Sequence, residues 1–90
     1  MNQQVYLEIT FRHGRPFAGY LHLPRQERDR VVHSRRAEGG LVVDYTEDGR
    51  AIGVEITAPT AFDPDTLQAL LSELQVEPVG EEDLAPLLRS

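Results

Sequence analysis

Three groups of residues in this 90-residue chain have side chains that could do chemistry: an acidic loop, three histidines and a run of arginines. The stretch Asp44-Tyr45-Thr46-Glu47-Asp48-Gly49, with Glu55 further on, has oxygen-bearing side chains at positions 1, 3, 5 and 12 and glycine at position 6. That spacing wraps a calcium ion when two helices hold the loop. The flanking residues Leu41-Val42-Val43 and Ile52 to Ile56 alternate as strands do, and a hairpin accounts for Asp48-Gly49 without a metal. His13, His22 and His33 could serve zinc or general-base chemistry, but their spacing is irregular, no helical His-x-x-x-His pair occurs, and the chain has no cysteine. They read as a turn residue (His13) and two solvated-face residues (His22 and His33). No nucleophile elbow, phosphate-binding glycine loop or dinucleotide fingerprint is present, and Ser34, Ser72 and Ser90 show no local sign of activation. The expectation is a non-enzymatic protein with no catalytic residue, no metal site and no cofactor.

The arginines Arg25, Arg28, Arg30, Arg35 and Arg36 are the candidates for contact with an anion or a partner. Charge is sorted along the chain. Residues 1–36 hold seven arginines against three carboxylates, a surplus of +4, whereas residues 37–90 hold two against twelve, a deficit of −10. An acidic half would repel a polyanion unless it faced away, so nucleic-acid binding is the lesser expectation. A solvated edge or a protein partner is the greater one.

The elements that must position these groups follow from periodicity. Val5, Leu7, Ile9 and Phe11 alternate with polar residues, and Phe17, Gly19, Leu21 and Leu23 resume the alternation beyond a break at Gly14. This predicts a hairpin in which a three-residue loop, His13-Gly14-Arg15, sets Leu7 opposite Leu21. Arg28 to Arg36 reads as a weak edge strand, whose arginines would oppose unwanted strand addition. Leu41 to Thr57 reads as a second hairpin closed by a two-residue Asp48-Gly49 turn, pairing Leu41 with Ile56, Val43 with Val54 and Tyr45 with Ile52. A helix over about 63–75 follows, with Asp63 as N-cap, Pro64 at its first position, Phe62 stapled onto Leu67, and a stripe of Leu67, Leu70, Leu71 and Leu74. Residues 76–90 read as a tail with at most one helical turn, interrupted by Pro86.

Ninety residues bury too little surface for two cores, so one domain is expected over residues 1–90. Its class is α+β: an antiparallel β-meander of four to five strands, over about 4–57, with one C-terminal helix packed on one face. The helix covers only one side of the sheet. Tyr6, Tyr20, Val42 and Val32 would form a second apolar patch on the other, which predicts a homodimer or another protein partner. With no cysteine, no signal-like start and no apolar run long enough to span a bilayer, a cytoplasmic location away from membranes is expected.

The segment Gly40-Leu41-Val42-Val43-Asp44-Tyr45-Thr46-Glu47-Asp48-Gly49-Arg50-Ala51-Ile52-Gly53-Val54-Glu55-Ile56 resembles a small bacterial family, domain of unknown function 2283. That family has a glycine-led apolar strand, Asp-Tyr-Asp, an Asp-Gly turn with a basic residue, and Gly-Ile-Glu-Ile. Tyr6 to Thr10 resembles its first strand, and residues 24–36 look like an insertion. Gly53 would let the strands approach. The resemblance implies a bacterial cytoplasmic protein without an established activity and hints at an antitoxin-like partner, while the arginine strand itself offers, as a lesser reading, a nucleic-acid-linked regulator. The main expectation is a self-associating protein-interaction module.

Overall fold

Alternating apolar and polar residues build five antiparallel strands, described in a computed structural model over residues 5–76 and 79–88. They are β1 (Tyr6–Arg12), β2 (Arg15–His22), β3 (His33–Ala37), β4 (Leu41–Tyr45) and β5 (Ala51–Ile56). The α+β class and the antiparallel sheet are as expected, but the strands are not in chain order. They lie β1-β2-β5-β4-β3, because the chain leaves β2, crosses the end of the sheet to its far edge and returns through β3 and β4. This puts β5 in the middle.

Both hairpins reach the expected facial register by a different route. In the first, Leu7 does face Leu21. The loop has two residues, not three: Arg12 pairs with Arg15, and His13 and Gly14 take φ of 53° and 78°, the positive values a type I′ turn requires. A bulge then compensates. Thr10 pairs with Ala18 and Phe11 with Pro16, which leaves Phe17 as the extra residue that shifts the register by one. In the second hairpin Leu41 faces Ile56 and Val43 faces Val54 as expected, but Tyr45 pairs with Ala51 rather than Ile52. Here the loop has three residues. The Gly49 amide donates to the Thr46 carbonyl at 3.0 Å and the Thr46 amide to the Arg50 carbonyl at 2.9 Å, with φ of +88° at Gly49. Ile52 is the bulged residue.

The edge strand expected over Arg28 to Arg36 begins only at His33 and runs to Ala37. Val32 still donates its amide to the Tyr45 carbonyl of β4 at 2.9 Å, but residues 28–31 lie outside the strand. Asp29 closes a turn on the Gln26 amide and receives both terminal nitrogens of Arg50, at 2.7 and 3.0 Å. That clamp fastens the crossing loop to the β4–β5 turn.

Leu21, Val43, Val54 and Ile56 project from one face of the sheet and are essentially fully buried. Helix α1 (Pro64–Glu73) lays Leu67, Leu70 and Leu71 against them, and Phe62 packs on the same cluster. Asp63 caps α1 by accepting from the Asp65 amide at 3.0 Å, with Pro64 at the first position as expected. At the other end the Val76 amide donates to the Leu71 carbonyl and the Gln75 amide to that of Ser72. This is a Schellman cap with Gln75 left-handed at φ 62°. The expected tail contains a second helix, α2 (Glu81–Leu88). Leu84 and Leu87, three residues apart, bury into the same core, and that apolar burial outweighs the helix-breaking tendency of Pro86. The Gln68 side chain ties the approach to α2 onto α1, donating to the Val79 carbonyl at 2.8 Å and accepting from its amide at 3.1 Å.

Candidate functional site

The helices cover one face of the sheet, and the opposite face carries the polar chemistry. Across β1-β2-β5-β4-β3, one row of open-face residues is Tyr6, His22, Gly53, Asp44 and Ser34, and the next is Glu8, Tyr20, Glu55, Val42 and Arg36. Asp44 is the hub. It is only 4% exposed and accepts from the Tyr20 hydroxyl at 2.9 Å through Oδ2 and from the Ser34 hydroxyl at 2.6 Å through Oδ1. Tyr20 belongs to β2 and Asp44 to β4, so the phenol ring must lie across the intervening strand β5. Gly53 allows this. A Cβ there would overlap the phenol oxygen and ring carbons, so the glycine makes room for a side chain rather than for a neighbouring strand.

Burial, then the hydrogen bond to Asp44 and its negative charge, push the Tyr20 hydroxyl up to about 12, with Arg25 opposing. Tyr20 therefore keeps its proton and serves as a donor at neutral pH. Glu55 is raised above the usual carboxyl range, first by burial and then by the hydrogen bond and charge of Asp44. Beside them, the His22 ring stacks on Tyr6 at 4.2 Å and meets Tyr20 edge-on at 4.7 Å. Its Nε2 lies 2.6 Å from Glu8 Oε1.

Of the four residues expected to form an apolar patch, Tyr6, Tyr20 and Val42 share this face. Val32 precedes β3 and lines a separate depression with Asp29 and Arg50. The patch is also not purely apolar, because Glu8, His22, Asp44 and Glu55 are interleaved with the rings. His22 and His33 lie on opposite faces, with His33 stacked on Tyr45 at 4.9 Å on the helix side.

The five arginines do not form one surface. Arg25 is half-buried and donates at 2.8 Å to the carbonyl of the bulged Ile52. Arg35 turns toward the helix side and donates to the Tyr45 hydroxyl at 2.9 Å. Arg36 sits on the open face, and Arg28 and Arg30 lie on the crossing loop. Among the described residues, Arg28, Arg30 and Arg36 make no ion pair. The acidic loop with calcium-like spacing is a hairpin whose carboxylates diverge: Asp44 and Glu55 meet on the open face, while Asp48 bonds to Thr46 and to Arg50 Nε at the turn.

Sequence reasoning missed the Asp44 hub, the Asp29–Arg50 clamp and the Gln68–Val79 tie. A signal for the first existed: an aspartate within an apolar strand, with a glycine where the paired strand passes beneath it. The other two join residues 21 and 11 apart in sequence, and no local pattern marks them.

No curated protein and no solved structure matches the chain. Residues 18–58 match the model of a family described as protein of unknown function, DUF2283. The match begins within β2 and takes in the crossing loop and β3, β4 and β5, so β1 lies outside it. It is therefore through the four central and far-edge strands, and the tyrosine–aspartate face they carry, that the chain resembles the DUF2283 family.

Proposed function

We propose that this domain is a non-enzymatic protein-interaction module of the cytoplasm that self-associates through the helix-free face of its sheet. The observation that carries the reading is the uncovered face itself. Both helices pack on the other side, yet this face presents Tyr6 at 53% exposure together with the half-buried Tyr20 and Val42. Aromatic rings set among paired polar groups are what protein interfaces favour. The internal pairing also supports a non-catalytic role. Both Asp44 oxygens accept from hydroxyl donors on neighbouring strands, and at 4% exposure the carboxylate is engaged in holding β2, β4 and β3 together. Among the described residues, no helix is long and apolar enough to cross a membrane.

Sedimentation equilibrium tests the proposal. The expected result is a dimer at micromolar concentration that Val42→Arg converts to monomer without lowering the melting temperature; a wild-type monomer throughout would refute it. Phosphate recognition is the weaker reading, because the arginines are spread over the crossing loop and both faces of the edge strand.

A further inference from the structure

The two rims of the open face, Glu8 on β1 and Arg36 on β3, are complementary to each other in one orientation. We propose that a second copy covers it about a twofold axis running parallel to β5, so that β1 of each copy lies over β3 of the other. The inference rests on the self-association reading and adds the geometry of the partner.

β5 is the middle strand of the five, so such an axis reverses the strand order while keeping every residue at its own height along the strands. Each open-face row then meets its own reverse. The row Glu8, Tyr20, Glu55, Val42, Arg36 sets Glu8 against the partner's Arg36, Tyr20 against the partner's Val42, and the two Glu55 residues against each other. The row Tyr6, His22, Gly53, Asp44, Ser34 sets Tyr6 against the partner's Ser34, His22 against the partner's Asp44, and glycine against glycine on the axis.

Opposite charges meet at both rims, and symmetry makes every pairing off the axis occur twice. Each Gly53 lies under its own Tyr20 ring, so the two phenol rings face each other where the sheets cross the axis. Glu8 and Arg36 are both exposed in the single copy, and long side chains at the rims can span the roughly 10 Å between stacked sheets. The other twofold lying in the plane of the face, across the strands, places each strand over its own copy and sets Glu8 near Glu8 and Arg36 near Arg36. Like charges then meet at both rims, and that arrangement is disfavoured.

Five strands at ~4.8 Å spacing and about six residues at ~3.3 Å give a contact of roughly 24 by 20 Å. A patch of that size lies below the ~800 Å² per partner of standard interfaces, which places the contact among the weak, transient ones.

Charge exchange between two variants tests the axis. Glu8→Arg alone, and Arg36→Glu alone, should each weaken dimerisation about tenfold or more, because each creates two like-charge rims. Mixed in equal amounts they should associate within about threefold of wild type, since every rim contact in the heterodimer is again opposite in sign. Native mass spectrometry distinguishes that heterodimer from the parents. If either variant fails to fold, Glu55→Cys in this cysteine-free chain should still cross-link to itself with a short bismaleimide, because residue 55 meets its copy on the axis. A wild-type dimer whose variants show no rescue on mixing, or which does not cross-link through position 55, would overturn the axis and leave self-association standing. A wild type that sediments as a monomer at every concentration reached would overturn both.

Discussion

At the scale of single residues, the open face depends on one missing side chain. Gly53 is where the Tyr20 ring crosses β5 to reach Asp44. Gly53→Ala must expel that ring and so breaks a hydrogen bond to a buried carboxylate, a loss of about 2 kcal/mol. Chemical denaturation should show this cost in the wild type but little of it in a Tyr20→Ala background, where no ring is left to displace. Equal costs in both backgrounds would place the strain elsewhere. Glu55 offers a second test at this scale. A carboxyl raised in the folded state holds its proton more tightly than in the unfolded chain, so its contribution is fully present in acid and is lost as pH rises through the raised value. Glu55→Gln removes that loss while an amide can still donate to Asp44. Its melting temperature should exceed the wild type's at pH 8, and the gain should disappear near pH 4. Glu8, Tyr20, His22, Arg36 and Asp44 share the face, and of these Asp44 raises Glu55 through its hydrogen bond and charge.

At the scale of elements, the pattern of the sequence was legible wherever one face of a strand or helix is buried. Leu41, Val43, Val54 and Ile56 could be paired in advance because a slip by one residue would turn all four toward solvent. The turns were less legible. In both hairpins the loop length and a bulge compensate each other, so Phe17 and Ile52 change the local geometry without disturbing the facial register. A search for the simplest loop cannot see such a pair of offsetting changes. The second helix was obscured by Pro86, whose local preference is outweighed by the burial of Leu84 and Leu87. The end of α1 supplies a prediction of its own. Gln75 occupies the left-handed position of a Schellman cap, where glycine has no Cβ to strain. Gln75→Gly should raise stability by about 0.5–1 kcal/mol in urea denaturation, whereas the same substitution at Gln68 should lower it through loss of two hydrogen bonds to Val79.

At the scale of the whole molecule, the strand order was not legible in the sequence, because a chain of alternating strands is compatible with several orders and the Asp29–Arg50 clamp that anchors the crossing loop joins distant residues. That order matters because it makes β5 the centre of the sheet and Glu55 the residue on the proposed axis. Two Glu55 carboxyls brought face to face, each already raised by burial and by Asp44, repel when both are ionised. Association should therefore take up protons, and by linkage the dimer should tighten as pH falls. The expected change is about tenfold in dissociation constant between pH 8 and pH 5, measured by sedimentation at constant salt. His22 and the partner's Asp44 also face each other across the interface, so the assignment needs a control. Glu55→Gln should flatten the pH dependence while retaining the dimer, and added salt should weaken wild type and variant alike, because the Glu8–Arg36 rims are screened in both. A pH dependence that survives Glu55→Gln would separate the proton uptake from Glu55 and take that residue off the axis.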